Sequence, residues 1–125
     1  MGIGDIGMGR KEYIVSTLVK NGFRSALKGF AQFCECVELY MDDHTVTIES
    51  IYARTADKFN CTKSSVEKNL RRLFESSDAC SVIGRLYGID FPDAGNKEIV
   101  AVFSNYVSLN REKYTHNAVK VGEQT

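Results

Sequence analysis

An all-α fold of six unequal helices is what this sequence predicts, and three features predict it. Apolar residues recur at three- and four-residue spacing in segment after segment, the period of one helix face. Glycine and asparagine stop signals fall between those segments. Strict apolar–polar alternation, the mark of a half-buried strand, is missing, and a single proline leaves the helical patterns uninterrupted. The segments differ widely in length, so the expected architecture is an irregular domain and not an up-and-down bundle.

Residues 1–9, MGIGDIGMG, read as a flexible tail. They contain Gly2-x-Gly4-x-x-Gly7, but a dinucleotide fingerprint needs a strand before it and a βαβ unit around it, and the sequence offers neither. A first helix is expected over Arg10–Lys20, with Tyr13, Ile14, Thr17 and Leu18 inward and Asn21-Gly22 as its stop. A second, over 24–42, would bury Leu27, Phe30, Ala31, Cys34, Val37 and Met41. His44-Thr45-Val46-Thr47 is a loop whose last residue caps the third helix. The third and fourth helices lie within 51–74. A short fifth, over 78–87, would bury Val82, Ile83 and Leu86, and Gly88 stops it. After a loop over 89–95 with Pro92, Asn96 caps a sixth helix running to 111, with Ile99, Val102, Phe103, Tyr106 and Val107 on one face. Residues 114–125 read as a second flexible tail, which leaves 10–113 as the folded domain.

The stretch 51–74, IYARTADKFNCTKSSVEKNLRRLF, carries the most information. In its first half Ile51, Tyr52, Thr55, Ala56 and Phe59 form one inward stripe, and Ala56 is small where crossing helices need close approach. Asn60 tolerates the left-handed backbone of a sharp helix end, and Thr62 is a good N-cap. In the second half Val66, Leu70, Leu73 and Phe74 fall at i, i+4, i+7 and i+8. The opposite face carries Lys63, Ser64, Glu67, Lys68, Arg71 and Arg72, four basic residues and one acidic. Two short helices, a tight turn and a basic second helix make the pattern of a helix-turn-helix, whose second helix enters the DNA major groove. The same pattern also occurs in all-α proteins with no nucleic-acid role, where a basic face is simply a solvated face.

A chain of 125 residues with 43% apolar content supports one domain with a single core. Sixteen basic and sixteen acidic residues give zero formal net charge, which argues against a protein that coats nucleic acid nonspecifically. A sequence-specific binder with segregated charge fits: Glu35, Glu38, Asp42, Asp43 and Glu49 make one segment acidic, and 63–72 is basic. Cys34, Cys36, Cys61 and Cys80 have no CxxC spacing and lie far from His44 and His116, so structural thiols are expected and neither metal nor cofactor. No apolar run reaches transmembrane length and no signal peptide is recognisable, so a cytoplasmic protein without membrane contact is expected. No Ser-His-Asp, Cys-His or paired-carboxylate constellation can be assembled, so no enzyme is expected.

Several segments together resemble the C-terminal effector domain of the stage 0 sporulation protein A family, the regulators of endospore formation. They are Gly22-Phe23 with Leu27-Lys28-Gly29-Phe30, Val37-Glu38-Leu39-Tyr40, and Ile51-Tyr52 with Ala56-Asp57-Lys58-Phe59-Asn60. Thr62, Ser64, Val66 and Glu67 follow, then Leu86-Tyr87-Gly88, then Asn96 through Val102. Each piece is weak alone; their order and spacing over 10–113 make the match specific. The resemblance implies six helices, transcriptional control through a short promoter box, and tandem binding of two domains with contacts partly through the last helix. RNA polymerase is a further candidate partner. Members normally carry an upstream receiver domain; none is expected before Arg10, so phosphorylation-triggered dimerisation is not carried over. The recognition helix also departs from the family pattern. The family has Arg where this chain has Ser65, and a second Arg where it has Lys68, while Glu67 is kept. Arg binds guanine O6 and N7 bidentately, Ser does not, and each such pair is worth roughly 1–3 kcal/mol of discrimination.

The recognition helix is thus expected over 63–75. Ser64, Ser65, Glu67, Lys68 and Arg71 are the candidates for base edges, and Lys58, Lys63 and Arg72 for phosphate, with Thr62 at the cap. Tyr106 and Leu109 are candidates for a homodimer contact on tandem sites, with core burial as the alternative. The main reading is a regulator that binds double-stranded promoter DNA. The alternative is a protein-interaction module, or antagonist, that pairs with a full-length relative and has lost specific DNA reading.

Overall fold

The computed structural model describes residues 8–115, and the parts of the two expected tails over 1–7 and 116–125 lie outside them. Six helices follow in order: α1 (Arg10–Lys20), α2 (Lys28–Asp42), α3 (Ile48–Lys58), α4 (Lys63–Ser77), α5 (Ala79–Tyr87) and α6 (Asn96–Leu109). A short 3-10 turn, Arg111–Lys113, closes the sequence of elements. Among the described residues there is no strand, only one isolated bridge between Gly9 and Thr115.

Three helices end the same way because the chain must reverse sharply after each. Gly22, Asn60 and Gly88 have φ of 91°, 57° and 70°, the left-handed region. In each case the next amide reaches back to the last turn: Phe23 to the Leu18 carbonyl, Cys61 to Ala56, Ile89 to Gly84, at 2.9–3.0 Å. Asp78, at φ 55°, ends α4 and begins α5, so those two helices share one residue and no linker.

α2 is the central element, packed against α1, α3, α4 and α6. Its composition explains this: Gly29, Phe30, Gln32, Phe33, Cys34, Cys36, Val37 and Leu39 are all buried, more than one face of a helix can hold. Phe33 is the hub. Its ring meets Phe74 of α4 edge-on at 4.8 Å, Phe103 of α6 at 5.4 Å and Phe23 at 6.1 Å. Burial pushes the Cys34 thiol up to about 12 and the Cys36 thiol to about 11, so both behave as small apolar groups.

α2 and α4 cross in close contact at Gly29. A Cβ on Gly29 would collide with the carbonyl oxygen of Asn69 and lie 2.8 Å from its carbon and 3.2 Å from Leu73 Cβ. The two backbones therefore touch, and only glycine permits it.

Several details differ from the sequence expectation, and α4 also runs past 75 to Ser77. α2 begins at Lys28 and not at 24, because Phe23 is buried and residues 24–27 turn to let it in, with Leu27 N–H donating to the Arg24 carbonyl. Ala31, expected inward, is exposed. α6 ends at Leu109, its N-cap is Gly95, and its buried stripe is Ile99, Val100, Phe103, Ser104 and Val107, with Val102 and Tyr106 at the edge. Gly9 and Tyr114, expected in tails, belong to the folded part. Gly9 N–H donates to Glu12 Oε1 at 2.9 Å, and Tyr114 is buried and stacks on Tyr13 at 5.1 Å.

Two stability changes follow. Gly29→Ala should gain helix propensity yet destabilise the fold by about 1–3 kcal/mol, because the added methyl meets backbone that cannot move aside alone; thermal melts decide the sign. The Tyr52 hydroxyl is buried with no hydrogen-bond partner among the described residues. Tyr52→Phe should therefore leave the melting temperature unchanged or raise it, by up to about 1 kcal/mol of stability.

Candidate nucleic-acid interface

The helix-turn-helix is built from α3, the residues 59–62 and α4. Asn60 takes the left-handed conformation, and its N–H donates to the Asp57 carbonyl at 3.2 Å. The Thr62 hydroxyl then accepts the Ser65 amide at 3.0 Å, which starts α4. Val66, Leu70, Leu73 and Phe74 are buried, so the apolar face of α4 is held against α2, α3, α5 and α6. The opposite face stays outside: Ser64, Lys68, Arg71, Arg72 and Glu75 are exposed and fall at i, i+4, i+7, i+8 and i+11, one stripe along the helix.

The predicted site residues divide into three groups. Ser64, Lys68, Arg71 and Arg72 lie on the outer stripe, and among the described residues none of the three cations is in an ion pair. Lys58 and Lys63 are exposed but paired, Lys58 Nζ with Glu35 Oε1 at 2.8 Å and Lys63 Nζ with Glu49 Oε1 at 2.5 Å. Ser65 and Glu67 are half-buried on the flanks. The Ser65 hydroxyl accepts from Thr62 Oγ1 at 3.0 Å, so it turns back to the cap. Glu67 borders an open cleft of about 850 Å³ between α4, α5 and the start of α6, as does Arg71.

Three residues outside the sequence-derived set hold this arrangement. Glu49, in the first turn of α3, binds Lys63 through one carboxylate oxygen and Lys97 of α6 through the other. The Asn96 side chain, expected to cap α6, instead donates to the Glu67 carbonyl at 3.0 Å. Gln32 of α2 is buried; its Oε1 accepts from Asn69 Nδ2 at 3.1 Å, and its Nε2 donates weakly to Cys61 Sγ at 3.8 Å. A polar residue among the apolar positions of α2 was the available signal for Gln32. Nothing in the sequence spacing joins Glu49 to Lys97. No group of carboxylate, thiol and imidazole side chains among the described residues could hold a metal ion. No helix among them is long and apolar enough to cross a membrane.

The hydrogen bonds from Lys63 and Lys97 hold the Glu49 carboxyl at about 2, well below its ordinary 4.5. The folded state thus keeps this group more acidic than the unfolded chain does. Its stabilising contribution is complete above about pH 4.5 and is lost as pH falls towards about 2. All three side chains are close to half exposed, so the effect should be small. Melting curves from neutral to strongly acidic pH should show Glu49→Gln lacking this part of the acid destabilisation, and an unchanged pH profile would remove Glu49 from the linkage.

The family described as Sporulation initiation factor Spo0A C terminal matches over residues 14–118. No curated protein matches the chain. The match takes in all of α2 to α6, including the capped turn and the exposed stripe of α4. This chain belongs to the Spo0A C-terminal family, the all-α DNA-binding effector domains of sporulation regulators.

Proposed function

We propose that the chain is a sequence-specific transcriptional regulator of the sporulation-initiation effector type, with α4 seated in the major groove of double-stranded promoter DNA. The observation that carries this reading is the outer stripe of α4. Ser64, Lys68, Arg71 and Arg72 stand exposed on a helix whose other side is anchored in the core, with no carboxylate bound to their cations among the described residues. A rigid rod with cations on its open side is what groove binding needs.

The roles follow from position. Lys68 and Arg71 donate to base edges, guanine O6 and N7 being the best acceptors, and Ser64 reaches the same surface. Arg72 takes phosphate. Lys58 and Lys63 reach phosphate by exchanging an exposed glutamate for a phosphate oxygen, an exchange that costs little because exposed ion pairs are weak. Thr62 and Ser65 fix the helix start and do not read sequence. Glu67 discriminates from the flank, accepting a cytosine amino group where the groove wall meets the cleft. A second copy binds the adjacent box through the last helix, where Leu109 is 69% exposed and Tyr106 lies at the edge of the core. RNA polymerase is the further partner this reading supplies, and the protein works in the cytoplasm beside the chromosome.

Selection from a random duplex pool at fixed salt should recover a defined box. Affinity for it should fall linearly in log–log form with salt, and Lys63→Ala should flatten that slope by about 0.9, one phosphate contact. Charge reversal of Lys68 and Arg71 together should lower affinity for the box about a hundredfold or more. Undiminished binding by that double variant takes α4 out of the groove.

A further inference from the structure

Gln32 touches both ends of the problem of aiming α4. The residue is 4% exposed in the middle of α2, where its neighbours on the buried face are apolar. Its carbonyl oxygen accepts from Asn69, midway along α4 and next to Lys68. Its amide nitrogen donates to Cys61, which lies between the left-handed Asn60 and the N-cap Thr62. One buried amide therefore ties α2 to the turn before the recognition helix and to the helix itself.

The apolar face of α4 cannot do this alone. Val66, Leu70 and Leu73 pack without direction, and the edge-on contact of Phe74 with Phe33 holds the helix only near its C-terminal end. Hydrogen bonds to an amide are directional and lose strength within a few tenths of an ångström or a few tens of degrees. Backbone contact at Gly29, three residues before Gln32 on α2, sets the separation of the two helices but leaves roll about the α4 axis open. A roll would change which of Ser64, Lys68 and Arg71 points at a base edge.

We infer that Gln32 is a positioning residue for sequence reading: without touching DNA, its side-chain amide locks the roll of α4 and the geometry of the turn, and so sets base discrimination. The inference rests on the DNA-binding reading above.

Gln32→Met keeps length and volume and removes both hydrogen bonds; Gln32→Glu keeps an acceptor for Asn69 and serves as partial rescue. The full chain and these variants would be measured on the selected box and on a scrambled duplex of equal length at the same salt, beside thermal melts and amide hydrogen exchange of residues 60–70. With Gln32→Met, affinity for the box should fall about tenfold, the scale of one or two directional hydrogen bonds. Affinity for the scrambled duplex and the salt slope should not move, and exchange over 60–63 should quicken. Asn69→Ala, which removes one of the two bonds, should give part of that loss, and the double variant no more than Gln32→Met alone. Equal losses on both duplexes, or an unchanged ratio with a folded variant, overturn the role. If the unmodified chain itself shows no preference for any duplex, the DNA-reading proposal fails; unchanged exchange at 60–70 in Gln32→Met then overturns the lock as well, and quickened exchange upholds it.

Discussion

The separation of α4 from α2 depends on one backbone contact, the crossing of the two helices at Gly29. No side chain intervenes there, so the two backbones touch, and the residues around the crossing inherit their places. Phe33, one turn further along α2, then reaches Phe74 and Phe103 at once, and the core closes around that ring. With its back fixed this tightly, α4 has only its outer stripe left for solvent or for a partner. The fold buries the apolar face of the helix and leaves its polar, largely cationic side open.

A chain with no net charge still displays a cationic stripe, and the ion pairs explain how. Four of its sixteen acidic residues are engaged with cations elsewhere: Glu38 and Asp42 hold Arg10 at 2.5 and 2.6 Å, Glu35 holds Lys58, and Glu49 holds both Lys63 and Lys97. Lys68, Arg71 and Arg72 lie beyond those carboxylates. Low net charge keeps nonspecific attraction to nucleic acid small, and local segregation leaves the outer stripe of α4 largely cationic. The pair on Lys58 ties α3 to α2, and the pair on Lys63 ties the two helices of the helix-turn-helix to each other.

The helix-turn-helix is legible in the sequence because its signals are local. Asn60, Thr62 and the Val66–Leu70–Leu73–Phe74 period are each a property of a few neighbouring residues, and each has a backbone reason to be where it is. The start of α2 is not legible, because residues 24–27 have helical spacing on paper and turn only to bury Phe23. The rotation of the α6 stripe, from Val102 and Tyr106 to Val100 and Ser104, reflects contact with α2 and α5 that no periodicity encodes. Of the site, the outer stripe can be read from the helix period alone. The divisions within it cannot: Ser65 turns back to the Thr62 cap, Glu67 borders the cleft, and Lys63 pairs with Glu49 of another helix. Gln32, Asn69 and Asn96 are polar residues whose partners lie 29 or more positions distant, and only the fold pairs them.

The described chain leaves and returns at one place. Thr115 N–H donates to the Met8 carbonyl at 2.9 Å beside the stacked rings of Tyr13 and Tyr114. A unit stitched shut at its own ends can be carried as an outgrowth from a single point of a larger polypeptide, both tethers meeting at one seam. Tension on either tether then falls first on that seam.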